Sequence, residues 1–255
     1  MPLAKVARAF VLAAALAALV ATTATGDEAL VEVNDIVLRA DGGFQPQTLP
    51  KRRFAPIDFQ GHIDLSPRHG RPLPPLQQAL IDFDRDGRLS VAGLPTCAPE
   101  TIAQLGTAEA RRTCRGAVVG TGHIGAAIAY PGGTAETSAP LTIFNGPPLA
   151  TGPSVVFHAR TAVPTPEVYA IVVPIERRRG GFRYRARIEL PPLAGGLGAL
   201  THLDVDIGRR YRSGGRPRSY VSARCSDNVL QTHGHFTFAD GTVISGQVEK
   251  YCNDK

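Results

Sequence analysis

Three aspartates lie close together in the segment Asp82-Phe83-Asp84-Arg85-Asp86-Gly87. Carboxylates at the first, third and fifth positions of a loop, with glycine at the sixth, supply the oxygen ligands and the turn of a calcium loop. The twelfth position, where a bidentate Glu should complete the shell, is Gly93. Two interpretations follow. The pattern favours a turn whose carboxylates accept backbone hydrogen bonds, and the alternative is a calcium site with Asp82, Asp84 and Asp86 as ligands.

Arginines alternate with apolar residues between Phe182 and Ile188. In a β-strand this spacing places Arg183, Arg185 and Arg187 on one face. Such a face could bind an anionic envelope polymer, an acidic glycan or a lipid headgroup outside the cell, through charge attraction that salt weakens. The alternative is a solvated sheet face whose arginines prevent edge aggregation. Nucleic acid is not an expected partner, because no aromatic platform shares the arginine face.

Other patterns resemble catalytic or cofactor sites but lack the required context. Residues 120–125 read GTGHIG, the dinucleotide-binding spacing, yet only a short segment follows before the Pro-Gly-Gly at residues 131–133. No GxSxG nucleophile motif occurs. His233 with His235 offers two metal ligands, and Asp204 with Asp206 offers two carboxylates, but neither pair alone makes a site. The sequence predicts no catalytic residue and favours a non-enzymatic protein with calcium as the one cofactor to consider.

The first 26 residues have the pattern of a secretory signal peptide. Two basic residues precede an apolar run of about 13 residues from Ala9 to Ala21, and Ala24 and Gly26 provide the small residues that a signal peptidase reads. The run is shorter than the roughly 20 residues of a membrane span. We therefore predict cleavage before Asp27, a secreted mature protein, and no transmembrane segment after cleavage.

The mature chain predicted in this way contains four cysteines, Cys97, Cys114, Cys225 and Cys252. An even number of cysteines in an exported protein indicates disulfides, and four cysteines allow three pairings. Proximity in sequence favours Cys97 with Cys114 and Cys225 with Cys252. A metal site is the weaker alternative, because no CxxC pair occurs.

Composition indicates a globular, strand-rich chain. Hydrophobic residues make up 43% and charged residues 20% of the 255 residues, which excludes wholesale disorder. Glycine and proline are frequent, at 27 and 21 residues, which implies many connections. The net charge of +6 falls to about +4 without the two basic residues of the leader, too little to indicate nucleic-acid binding.

Strand patterns recur at even spacing along the mature chain. They predict an all-β fold, a β-sandwich of about a dozen mostly antiparallel strands, in a single domain over residues 27–255. The segment 97–114 differs, because Pro99 is placed to begin one short helix and Thr107 to cap the start of a second. We expect a helical excursion stapled by a disulfide. Two hairpins are predicted. One joins Ala79–Phe83 to Arg88–Ala92, and the clearer one turns at Asp240-Gly241.

Four short motifs carry a resemblance to a known group of proteins. They are Ile81-Asp82-Phe83-Asp84, Leu94-Pro95-Thr96-Cys97, Tyr220-Val221-Ser222-Ala223-Arg224-Cys225 and Thr237-Phe238-Ala239-Asp240-Gly241. In this order they resemble a group of uncharacterised secreted actinobacterial proteins, β-rich and without an established activity. The resemblance implies export and strands, and it implies no site residue.

Three functions are consistent with these features. The first is a secreted, non-enzymatic β-sandwich protein that binds an anionic envelope or extracellular component through its arginine face. The second is a calcium-stabilised extracellular adhesion or matrix module. The third is an extracellular hydrolase whose site is assembled only in three dimensions.

Overall fold

The computed structural model describes residues 24–254. The predicted leader therefore lies outside the described residues up to position 23. Between residues 24 and 254 no helix is both long enough and apolar enough to span a membrane.

Strands dominate the described chain. In chain order they are β1 (Ala24–Gly26), β2 (Ala29–Val33), β3 (Ile36–Gln45), β4 (Thr48–Leu49), β5 (Ala55–Pro56), β6 (Asp58–Pro67), β7 (Leu76–Asp84), β8 (Gly87–Leu89), β9 (Val118–Tyr130), β10 (Gly133–Asn145), β11 (Ser154–Thr161), β12 (Glu167–Arg177), β13 (Phe182–Glu189), β14 (Gly198–Ile207), β15 (Arg210–Ser213), β16 (Arg216–Ser219), β17 (Val221–Ala223), β18 (Val229–Phe238), β19 (Val243–Tyr251) and β20 (Asn253–Asp254). The helices are α1 (Pro99–Ile102) and α2 (Thr107–Thr113), with 3₁₀ turns at Arg115–Ala117 and Ala194–Gly196.

Thirteen of these strands form one sheet in the order β1-β19-β18-β7-β13-β12-β11-β10-β9-β14-β6-β3-β2. All the pairings among β2 to β19 in this sheet are antiparallel, and β1 runs parallel to β19. Alternation explains the two faces. In β13, Tyr184 and Ala186 are buried inside, whereas the arginines between them point outward. The all-β class and the dozen antiparallel strands are confirmed. The two layers of the predicted sandwich are opposite walls of one continuous sheet.

The sheet curls until its two edges nearly meet. We call the gap between β19 and the pair β2 and β3 the seam. In the described chain no backbone ladder joins β19 to β2 or β3. Side chains span it instead: Lys250 Nζ lies 2.8 Å from Asp41 Oδ1, and Asn34 Nδ2 donates to Thr242 Oγ1 at 3.0 Å. Buried Val31 and Ile36 also share an apolar cluster with Ile244 across it. The seam is therefore closed by side-chain contacts and not by a backbone ladder between β19 and β2 or β3.

Glycines let β9 and β14 approach closely. A Cβ added at Gly120 would lie 2.5 Å from the Asp206 carbonyl oxygen, and one at Gly125 would lie 3.0 Å from His202 Cβ. The GTGHIG motif thus serves strand packing inside β9. It does not form a phosphate-binding turn, as its sequence context indicated.

The helical excursion packs against the outer face of the sheet. The disulfide between Cys97 and Cys114 joins its two ends, which confirms that predicted pair. Ile102 and Ala110 are buried against outward-facing residues of β10 and β11, among them Phe144 and Val156. Pro99 begins α1 as expected, whereas Thr107 is the first helical residue of α2 and Gly106 occupies the capping position.

The second disulfide, between Cys225 and Cys252, closes one end of the curled sheet and is also confirmed. Its sulfurs pack in a small apolar cluster with Phe44, Leu49 and Ile57. Beside it lies a three-stranded sheet in the order β5-β17-β8. Two disulfides are consistent with an oxidising environment.

Two predicted hairpins have different outcomes. The strands on either side of Asp240-Gly241 pair as predicted, although the turn is wider than two residues, because Phe238 N donates to Thr242 O at 2.9 Å. The predicted hairpin between Ala79–Phe83 and Arg88–Ala92 is wrong. Strand β8 pairs with β17 instead, and β7 lies between β13 and β18.

Candidate functional site

The interior of the curled sheet is not filled by its own side chains. One cavity has a volume of about 260 Å³ and a second about 80 Å³. The two adjoin, since they share the lining residues Ile63, Phe157, Ile188, Leu203 and Phe236. The lining is almost wholly apolar, and nearly every strand of the main sheet contributes to one cavity or both.

Strand number accounts for this space. About eight strands enclose an interior that side chains can fill or that holds one small ligand, and wider sheets leave more room. Here twelve antiparallel strands enclose it. Inward-facing residues such as Phe83, Phe157 and Val205 accordingly pack on the core while staying only partly buried. Their remaining exposed surface faces the cavity they line.

The polar residues of the larger lining come from one end of the sheet. They include Asp84 at the end of β7, Arg88 in β8, Gln231 near the start of β18, and Asp41 and Lys250 at the seam. We call this end the mouth. It is the end where the β5-β17-β8 sheet and the Cys225–Cys252 disulfide lie. The cavity thus has an apolar body and a polar mouth.

Tyr220 combines both characters. Its side chain is 1% exposed and belongs to the lining of the larger cavity. Within the described chain its hydroxyl oxygen has no hydrogen-bond partner. Burial raises the pKa of this hydroxyl, so it stays protonated and can donate a hydrogen bond. Leaving such a group unpaired costs about 1 to 3 kcal/mol. The hydroxyl oxygen has almost no accessible surface, so the ring of Tyr220 lines the cavity and its hydroxyl does not.

Three arginines surround one aromatic ring beside the mouth. The guanidinium carbons of Arg88, Arg183 and Arg224 lie 5.6, 5.4 and 5.3 Å from the centre of the Phe54 ring. We call these four residues the Phe54 cluster. Arg224 is paired with Asp86, whereas Arg88 and Arg183 have no acidic partner among residues 24–254. The cluster therefore adds positive charge next to the cavity.

The predicted arginine face is only partly free. Arg183, Arg185 and Arg187 do lie on one outward face of β13. However, Arg185 donates from Nε to Asp82 Oδ1 at 2.8 Å, and Arg187 donates to Glu176 at 3.0 Å. These two guanidinium groups support the sheet, and Arg183 is the member left to attract an anion. Binding of an anionic polymer by this face stays a prediction.

The three aspartates of the predicted calcium loop are held by the protein's own donors. Asp82 pairs with Arg185, as described above. Asp84 accepts hydrogen bonds from the backbone N–H groups of Asp86 and Gln231, at 2.7 and 3.0 Å. Asp86 is fully buried and accepts from Arg224 Nε at 2.7 Å and from Ser226 N at 2.8 Å. Burial acts to raise the pKa of the Asp86 carboxyl. The hydrogen bonds from Ser226 and Arg224 outweigh burial, so the pKa is lowered. The arrangement matches the turn interpretation, and a calcium site stays a prediction.

A separate polar cluster lies on the outer face of β6 and β14. We call His62, Asp64, His202 and Asp204 the His–Asp quartet. The strands pair so that His62 opposes Asp204 and His202 opposes Asp64. Each imidazole contacts both carboxylates. His62 Nδ1 and Nε2 lie 2.7 and 2.8 Å from Asp204 and Asp64, and His202 Nδ1 and Nε2 lie 2.7 and 2.6 Å from Asp64 and Asp204.

The quartet is electrostatically coupled. The hydrogen bond with Asp204 raises the pKa of His62, and the hydrogen bond with Asp64 raises that of His202, both against the opposing effect of partial burial. Burial alone would raise the pKa values of Asp64 and Asp204, but contact with the two histidines lowers both.

Sequence reasoning missed the quartet, because His62 and Asp204 are 142 residues apart. The sequence suggests the pairs Asp204 with Asp206 and His233 with His235. Of these residues only Asp204 belongs to the quartet, and His235 contacts Ser245. The signal that could have found it is the repeated His-x-Asp pattern at residues 62–64 and 202–204. The cavity had no local signal, because it depends on how many strands close the sheet.

No family of known proteins matches the chain, and neither a curated protein nor a solved structure matches it.

Proposed function

We propose that this protein is a secreted, non-enzymatic binding protein for a small amphiphile. The apolar part of the ligand lies in the interior cavity, and its polar, anionic end lies at the mouth. The observation that carries the proposal is the apolar cavity of about 260 Å³ inside the curled sheet. It is well above the roughly 150 Å³ that accommodates one benzene ring in a protein core.

Energetics favour a ligand that fills this space. Space left unfilled in a core costs about 24 cal/mol per Å³, so a volume of 260 Å³ corresponds to about 6 kcal/mol. The net stability of a whole domain is only about 5 to 15 kcal/mol. An apolar molecule in the cavity would regain these contacts and lose its own exposed surface to water.

The polar groups at the mouth support an anionic end on the ligand. Arg88 belongs to the cavity lining and also to the Phe54 cluster, where it lies near Arg183. Two guanidinium groups without acidic partners would attract a carboxylate or phosphate at this place. The sequence predicts an anionic envelope or extracellular component as the ligand. We propose that the anionic group of this ligand is the head of an amphiphile.

The predicted setting suits this role. The leader pattern and the two disulfides support export to an oxidising compartment. Sparingly soluble molecules need a carrier outside the cytoplasm as much as within it, and a curled sheet shields them from water on nearly all sides.

A cavity-filling variant tests the proposal. We expect the purified mature protein to bind dodecanoate and the neutral fluorophore N-phenyl-1-naphthylamine at about one equivalent, measured by fluorescence and calorimetry. Ala40→Phe, which points a larger side chain into the cavity, should weaken both by about 10-fold or more. The control Ala127→Phe adds the same ring outside both cavities and should leave both affinities unchanged. Equal binding by the two variants would contradict a cavity site.

Head-group variants test the polar end. Arg88→Gln should weaken dodecanoate by about 10-fold, the cost of one hydrogen bond to a charged group, and should spare the neutral fluorophore. Dodecylammonium should bind more weakly than dodecanoate. If head charge makes no difference, the ligand is apolar without an anionic end.

A further inference from the structure

We propose that the His–Asp quartet on β6 and β14 is a binding site for one first-row divalent metal ion, with zinc the best match. His62 also borders the larger interior cavity. The proposal does not depend on the amphiphile, because the metal ligands lie on the outer face of β6 and β14.

The donor set points to such an ion. Two imidazoles with one carboxylate are ligands that zinc takes in tetrahedral sites, and calcium or magnesium prefer sites made of oxygen alone. One ligand atom each from His62, Asp64 and His202 lies within 4.8 Å of the others. Asp204 contacts both histidines and would orient them, which leaves the fourth tetrahedral position for water.

The sheet presents these groups in a fixed way. In each His-x-Asp pair the two residues share a face, because side chains two apart on a strand point the same way. The antiparallel register then places the histidine of one pair opposite the aspartate of the other. Sites built on paired strands hold their ligands more firmly than loops do. Gly125 on β9 would bring its Cβ within 3.0 Å of His202 Cβ if substituted, so its lack of a side chain leaves room for the ring.

Solvent reaches the quartet. Its side chains are between 33% and 44% exposed. His62 and Asp204 also lie in the wall of an open polar groove of about 720 Å³, which includes His123 and Asp41 from the neighbouring strands. In the strand register His123 opposes Asp204, and Asp41 opposes His62. A bound ion could therefore enter from solvent and keep an open position toward the groove.

Metal titration of the full mature protein tests the site. Calorimetry with zinc should give one site per chain, and cobalt should give the visible absorption of a tetrahedral ion with nitrogen and oxygen ligands. Calcium and magnesium should not compete. The double variant His62→Gln with His202→Gln should bind zinc more than about 100-fold more weakly than the wild type. Loss of a residue that only hydrogen-bonds a metal ligand costs roughly 10- to 100-fold. The control is His235→Gln on β18, away from the quartet. This variant should bind zinc like the wild type.

A measurement on the unmodified protein covers the case in which the double variant does not fold. Zinc should protect His62 and His202, but not His235, from modification by diethyl pyrocarbonate, mapped by mass spectrometry. The proposal would be overturned if zinc does not bind at about 10 μM, or if zinc leaves His62 and His202 as reactive as they are without metal. The quartet would then be an ion-pair network between two strands.

Discussion

Asp86 shows how a residue type that suggests a metal ligand can serve the fold alone. Its buried carboxylate links the turn after β7 to Arg224 and to the backbone of Ser226, next to Cys225. The residue therefore connects the mouth of the cavity to the disulfide that closes the same end.

Removing this carboxylate should destabilise the protein strongly. For Asp86→Ala we expect a loss of about 3 kcal/mol in the free energy of unfolding, because Arg224 and the Ser226 N–H lose a buried partner. The exposed Asp227, which pairs with Arg85 on the surface, is the matched control. Asp227→Ala should cost less than about 1 kcal/mol in the same denaturant titration.

The same titrations in excess calcium and in excess chelator address the calcium prediction. The stability of the wild type should not change with calcium, because each carboxylate of the turn already has a protein donor. A calcium-dependent rise that Asp86→Ala abolishes would instead identify the turn as a metal site and favour a calcium-stabilised module.

Among the elements, the helical excursion depends on one histidine beneath it. His158 on β11 is fully buried, and its Nε2 lies 3.2 and 3.1 Å from the carbonyl oxygens of Ile102 and Leu105. Burial lowers the pKa of His158. The neutral ring thus donates to carbonyls at the end of the short helix α1, where the Ile102 carbonyl also accepts from the Leu105 N–H at 3.0 Å.

Acid should therefore loosen the excursion. The unfolded chain takes up a proton at His158 near its ordinary pKa of about 6.5, above the lowered folded value, so stability falls as the pH drops through this range. We expect the free energy of unfolding to decrease from about pH 7 to about pH 5 more in the wild type than in His158→Phe. The exposed His69 provides a control, since His69→Gln should follow the wild type. Parallel pH profiles for all three proteins would argue against this role.

Elements were predictable where the pattern is local. The alternation from Phe182 to Ile188 is enough to assign the inward and outward residues of β13, and Pro99 marks the start of α1. Pairing is different, because β13 lies beside β7, about a hundred residues earlier, and a strand pattern contains no information on so distant a neighbour. For the same reason β8 was assigned to the wrong partner, and neither the quartet nor the cavity could be located.

At the scale of the whole molecule, the seam is the weakest line in the sheet. On one side, residues 41–45 of β3 pair only with β6, whereas residues 141–144 of β10 pair on both sides. Both edges of the seam contribute to the lining of the larger cavity. The seam therefore borders the interior cavity on both sides.

Hydrogen exchange should reveal this line. We expect backbone amides of residues 41–45 to exchange faster than those of residues 141–144, because no ladder joins this edge of β3 to β19. Exchange followed by mass spectrometry of peptides from the two segments provides the comparison. Equal protection of the two would mean that the sheet opens only as a whole.

Strand β1 gives the seam a consequence for maturation. Its three residues, Ala24 to Gly26, pair with Gly246 to Val248 on β19 and so cover that edge. Cleavage before Asp27, which the leader pattern predicts, would remove them and expose a row of unpaired backbone groups beside the interior. The precursor would then be the closed form and the exported chain the receptive one, so that loading would have to follow secretion.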